Sequence, residues 1–192
     1  KGLVTEIAYG SIRYRLLIDS WIDFCGRVPA SKQPPRLRWL LHVGIYQILM
    51  MGRVPSSAAV NTTVELAKTI GLFKLSSVVN GILRSVVRAQ EEGIKLPTPS
   101  TPYLKISQSE SIPEWLAKYL ISWKGEKEAR QVAKAFNKVP PFDLRVNRLN
   151  TTPFKMKEVF KSAGIDSSLL SEYIDALQIS IGSGYLKSWP GY

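Results

Sequence analysis

The chain has one cysteine and one histidine in 192 residues. A single thiol, Cys25, excludes an intrachain disulfide and points to a reducing compartment, with a cytoplasmic location as the expectation. A single imidazole, His42, excludes a multi-histidine metal cluster and leaves a Ser–His–Asp triad no choice of base. No metal site is expected. Long apolar runs are also lacking. The longest, Trp39 to Met51, is short for a bilayer span and is interrupted by His42 and Gln47, so it reads as a buried helix and no membrane partner is expected. No secretory signal pattern opens the chain. An initiating methionine is missing too, and a helical pattern starts at once, so the expectation is that residues precede Lys1. Acidic residues are scarce: 15 Asp and Glu stand against 26 Lys and Arg.

That imbalance gives a formal charge of +11. It favours a polyanionic partner, because each Lys or Arg set against a phosphate releases counterions. A solvated basic surface is the plainer explanation of composition alone. Neither half is a basic tail, since residues 1–99 carry 13 basic and 6 acidic side chains and residues 100–192 carry 13 and 9. Hydrophobic residues make up 45% of the chain, which is enough for one sizeable core or two small ones.

Periodicity divides the chain. Gly2 to Phe24 reads as a helix, with Leu3, Ile7, Ile12, Leu16, Leu17 and Trp21 as its apolar stripe. Arg36 to Met51 reads as a second helix. Pro55 to Arg88 reads as two amphipathic helices joined by a turn at Gly71, with Ser56 or Ser57 as the cap of the first. Residues 1–95 are therefore expected to be an all-α domain. The segment 96–108 holds Pro97, Pro99 and Pro102 and reads as an extended linker. Residues 109–192 are expected to be a small α/β (α+β) domain. Ser111 and Glu114 have capping-box spacing, and a helix follows through Trp115, Tyr119 and Trp123 until Gly125 interrupts it. Alternation marks a strand at Phe142–Val146 and another at Leu177–Ile181. Between them a helix is opened by Thr151 or Thr152 with Pro153. Strand, helix, strand implies a parallel pair, with a ferredoxin-like sheet as one arrangement that fits.

The order VNTTVELAK, about a dozen residues, then VVNGILR resembles the helical domain of the NusB family. Together with LRWLLHVGIYQILMMGRVPSSAAVN and PPFDLRVNRLNTT, most of the chain resembles the N-terminal part of the bacterial ribosomal RNA cytosine-5 methyltransferases, the Sun or Fmu family. The resemblance implies a NusB-like domain that lacks its first helix or helices. It also implies a small domain preceding a catalytic domain outside this chain, and small-subunit ribosomal RNA as partner. The family's reaction adds a cysteine thiolate to cytosine and takes a methyl group from S-adenosylmethionine. Neither a matching catalytic cysteine nor a Gly-rich cofactor turn is found here, so no catalytic residue and no cofactor is assigned to this chain, which is expected to be inactive alone.

Cys25 reads as a small buried hydrophobe and His42 as a hydrogen-bonded helix residue. Gly182 and Gly184 read as a tight turn, and Asn61 and Asn80 chiefly as structural residues. Two sets of cations are candidates for phosphate contact: Lys74, Arg84 and Arg88 on one helical face, and Arg145 and Arg148 around the end of the first strand, with Asn147 between them. Trp189 and Tyr192 are expected chiefly to pack against a following domain, with base stacking as the lesser use. Two other functions remain open: a NusB-type antitermination factor and a protein-interaction scaffold.

Overall fold

In the computed structural model, residues 2–180 and 189–191 are described, and the chain divides into two compact units, residues 1–137 and 138–192. The first unit is helical. It contains α1 (Gly2–Arg13), α2 (Arg15–Cys25), α3 (Pro35–Met50), α4 (Ser56–Thr69), α5 (Ser76–Glu91), α6 (Pro102–Glu110) and α7 (Glu114–Phe136). Its main core is built from α2 through α5. Ile18 and Ile22, Leu41 and Ile45, Ala67, and Val79, Leu83 and Val86 are all fully enclosed there. The expected burial of α3 is realised through Leu37, Leu40, Leu41, His42, Ile45 and Tyr46. Two close approaches need glycine. A Cβ on Gly10 would fall 2.0 Å from Cζ of Tyr46, and one on Gly44 would press on Leu83 and Thr63 at 3.0 Å.

Four local expectations change. The first helix breaks at Tyr14 instead of running to Phe24. The break leaves the backbone N–H of Leu16 free of a helical acceptor, and it donates to the Ser111 hydroxyl at 3.0 Å. Ser111 is thus no capping-box residue for α7. It closes α6 in a left-handed conformation (φ 54°) and caps α2 instead, while α7 starts after Pro113 with no side-chain cap. Neither Ser56 nor Ser57 caps α4, whose N-cap is Pro55. The segment read as linker 96–108 folds from Pro102 onward. Proline at the first helical position suits α6, and Ile106 is fully buried among Ile112, Ala117, Leu120, Ala129 and Ala133.

Two glycine stops stand where expected. Gly71 follows α4 at φ 83°, and Gly125 kinks α7 at φ 77°, ψ 166°.

The second unit has three strands, β1 (Phe142–Arg145), β2 (Ser167–Leu169) and β3 (Ala176–Ile179), and one helix, α8 (Pro153–Ser162). The sheet order is β1-β3-β2. β1 and β3 were expected to be parallel and are antiparallel, with Phe142 opposite Ile179 and Arg145 opposite Ala176. The reason is β2, which the sequence reading missed. It pairs antiparallel with the other edge of β3, Ser167 opposite Ile179, so β1 and β2 run in the same direction with β3 between them. That is a split β-α-β, the ferredoxin-like arrangement. Thr152 caps α8 by accepting from the Lys155 N–H, and Gly164 ends it at φ 74°. Val146, Phe160, Ile165, Leu177 and Ile179 form the core. Trp189 packs edge-on against Phe142 and Phe160, at 5.4 and 6.1 Å between ring centroids, within its own unit. Ile181, Gly182, Gly184 and Tyr192 lie outside the described residues.

Candidate nucleic-acid interface

The cations of α5 occupy its solvent side because the opposite side is committed to the core. Val79, Ile82, Leu83, Val86 and Ala89 are buried at helical spacing, which turns Arg84 and Arg88 outward. These two are one turn apart. With Ser56, Ser57, Val60 and Asn61 of α4, and with Val87 and Glu91, they line an open groove of about 660 Å³. Arg84 is steadied by Asn80 on the previous turn, whose Oδ1 accepts from Nε at 3.0 Å. Asn80 therefore has the structural role expected of it. Asn61 is exposed and faces the groove, a position its polar face on α4 could have signalled.

Lys74 is not part of this groove. It sits in the 3-10 turn Phe73–Leu75 before α5 begins. Ten residues separate it from Arg84, about 15 Å along a helix axis. Wheel angle alone sets it beside Arg84 and Arg88, and the axial distance separates them.

In the second unit Arg145 ends β1 and Arg148 lies in the following loop. The two meet at one small cleft with Asn147 and Leu149. Arg148 is already engaged, its guanidinium 3.4 Å from the Asp175 carboxylate. Arg145 is exposed and makes no ion pair among the described residues. Asn147 folds back on its own loop, accepting from the Leu149 N–H at 3.1 Å.

Other titratable groups serve the fold. Asp19 of α2 accepts from Nε of Arg38 at 2.9 Å and contacts Nε2 of His42 at 2.8 Å. Burial pushes the Asp19 carboxyl up, but the bonds from His42 and Arg38 outweigh it and hold the group below its ordinary value. His42 is enclosed on α3 beside Trp39, consistent with the structural role read from sequence. Tyr46 donates to Glu6 at 2.6 Å. Burial first, then that carboxylate, pushes its phenol up to about 12. Cys25 is half-buried at the end of α2, and burial pushes its thiol up, which disfavours the nucleophilic thiolate. Among the described residues no group of three or more His, Cys, Asp and Glu could hold a metal ion, and no helix is long and apolar enough to cross a membrane.

Comparison with known proteins adds to this geometry. Residues 1–88 match the model of the NusB family, and residues 112–182 match the ferredoxin-like domain model of the RsmF/B-like methyltransferases. The chain joins a NusB domain to an RsmF/B-type ferredoxin-like domain. The Arg84–Arg88 groove belongs to the NusB domain, and Arg145 and Arg148 belong to the ferredoxin-like domain. The boundary drawn by the family models assigns α7 to the ferredoxin-like domain, whereas by packing α7 belongs with α6 in the first compact unit.

Curated relatives align across both segments. The chain is 34% identical to a probable ribosomal RNA small subunit methyltransferase B of Synechocystis sp., over 98% of this chain and 42% of the relative. It is 31% identical to the ribosomal RNA small subunit methyltransferase B of Serratia proteamaculans, over 93% and 40%. It is 29% identical to the probable methyltransferase B of Bacillus subtilis, over 86% and 36%. The chain thus spans about two fifths of the length of these relatives, in their N-terminal region. Among solved structures, the crystal structure of PH0851 superposes with a TM-score of 0.59 over 93% of this chain and 39% of that one. At 18% identity, this likeness concerns the fold.

Proposed function

We propose that this chain is the RNA-binding N-terminal portion of a small-subunit ribosomal RNA cytosine-5 methyltransferase, and that it orients RNA for a catalytic domain outside the chain. The observation that carries the reading is the alignment itself: nearly the whole chain matches, yet it matches only the N-terminal two fifths of proteins named as ribosomal RNA small subunit methyltransferases. The exposed Arg84 and Arg88 supply the phosphate contacts in the NusB domain, and Arg145 supplies one in the ferredoxin-like domain. Lys74 contributes charge at a distance. Arg148 is held by Asp175 and exchanges that partner if it meets phosphate.

S-adenosylmethionine, the methyl donor of this reaction class, does not fit the described residues. A cofactor turn needs a Gly-rich strand-to-helix connection. Here β1 leads to α8 through residues 146–152, Val-Asn-Arg-Leu-Asn-Thr-Thr, without a glycine. On this reading the chain binds and positions RNA, and methyl transfer belongs to the longer protein.

Titration of the chain with small-subunit ribosomal RNA hairpins at several salt concentrations tests this reading. Binding that weakens with salt, and weakens further in an Arg84→Glu/Arg88→Glu variant, is expected. A variant that binds as tightly as the parent removes the groove from the interface. Methyl transfer by the chain alone contradicts the division of labour.

A further inference from the structure

The first half of α7 carries an exposed aromatic stripe. Trp115, Tyr119 and Trp123 are 68%, 60% and 61% exposed, although Leu116 and Leu120 of the same turns face inward. The three rings recur every fourth residue, so they share one side of the helix and follow one another at about 6 Å along its axis. Exposed large rings in series mark an interaction surface, since isolated surface hydrophobes are ordinary and a row of them is not.

Cations and a hydroxyl border one side of the stripe, with Leu116 and Leu120 on the other. Ser122 and Lys118 lie on the same side of the helix by spacing, and Ser122 turns its hydroxyl back to the Tyr119 carbonyl at 2.8 Å. Two ammonium groups already lie over aromatic faces: Lys124 Nζ is 4.6 Å from the centre of the Trp123 ring, and Lys118 Nζ is 4.4 Å from that of Tyr103. Planar rings with cations beside them, on a chain of charge +11, are the combination that holds unpaired nucleotides: bases stack on the rings and phosphates meet the cations.

We propose that Trp115, Tyr119 and Trp123 form a stacking platform for the unpaired bases of a single-stranded RNA segment. This rests on the RNA-binding reading above and adds the form of RNA that is held. The Arg84–Arg88 groove meets phosphates, which both strand forms offer, whereas the platform engages base faces, which a duplex hides.

The test uses the whole chain with two fluorescent probes, a short oligouridylate and a blunt RNA duplex. The variants are Trp115→Ala, Tyr119→Ala and Trp123→Ala, with Trp115→Phe and Trp123→Phe as ring-preserving controls. The rings are exposed, so the melting temperature and far-ultraviolet circular dichroism should match the parent in all five. Each alanine should weaken oligouridylate binding by roughly five- to a hundredfold, the range of one lost base stack, while phenylalanine retains most of the affinity and the duplex is bound as before. Equal oligouridylate affinity in parent and alanine variants overturns the platform and leaves RNA binding standing. Equal loss on oligouridylate and duplex overturns it also, because stacking cannot act on paired bases. Alanine variants that lose self-association in sedimentation while keeping RNA affinity make the stripe a contact between copies. A parent chain that binds neither probe at low salt refutes the RNA-binding reading itself.

Discussion

The buried charge on α2 shows how one residue can tie two helices. Asp19 takes bonds from Arg38 and His42, both on α3, and its side chain is mostly shielded from water. Because its folded-state proton affinity lies below the ordinary value, the ionised form is the one that stabilises the fold. The contribution is complete above the unfolded carboxylate range, near 4, and is lost as the pH falls through the lowered native value. Replacing Asp19 with Asn should cost about 1.5–3 kcal/mol near neutral pH, as expected for a shielded, charge-assisted hydrogen bond. It should also flatten the acid limb of a stability-against-pH curve measured by urea unfolding. An acid limb equally steep in D19N assigns the acid sensitivity to other carboxylates. None of this was legible in the sequence. His42 stood out as the lone histidine among apolar neighbours, but its partner lies 23 positions earlier on another helix, and no spacing rule joins them.

At the scale of elements, what was legible depended on whether an element's own residues decided it. Helical periodicity marks the buried Val79, Ile82, Leu83 and Val86 of α5, and on α4 it marks the buried Val60 and Ala67 but also the exposed Ile70, while Gly71, Gly125 and Gly164 end or break helices where a residue without Cβ can take positive φ. The failures share another cause. The break at Tyr14 and the role of Ser111 are settled by each other across 95 positions, so neither is written locally. β2 is three residues long and opens with two serines, so it has no alternation to detect and gains its identity by pairing with β3. The kink in α7 gives a direct test of the local kind. At φ 77° and ψ 166°, Gly125 occupies a region almost closed to other residues, so Gly125→Ala should cost roughly 1–3 kcal/mol. Thermal melting followed by circular dichroism reads this out. A variant as stable as the parent would mean that α7 tolerates becoming one straight helix.

The molecule as a whole joins two units of very different core size. The first unit, residues 1–137, gathers buried apolar side chains in one large cluster and a second smaller one, while in the second unit, of 55 residues, five side chains are buried among the described residues, with Leu144, Met156 and Trp189 against them. A domain of this size buries a smaller share of its surface than a larger one does, and its stability is correspondingly marginal. The cations expected to contact RNA divide in the same way: Lys74, Arg84 and Arg88 lie on the larger unit and Arg145 and Arg148 on the smaller. The sequence indicated which residues carry charge. It did not show that Asp175, 27 positions later, neutralises Arg148, because that ion pair depends on the turn that leads into β3. The energetic asymmetry predicts stepwise unfolding. In native-state hydrogen exchange at low urea, the amides of β1, β3 and α8 should exchange through openings of lower free energy than those of α3 and α5. Limited proteolysis should cut first in the exposed stretch Lys138–Pro141 between the units. Bound RNA should raise protection in whichever unit it touches. Protection confined to α4 and α5 would restrict the interface to the larger unit. Protection extending to β1 and its following loop would bring Arg145 into it.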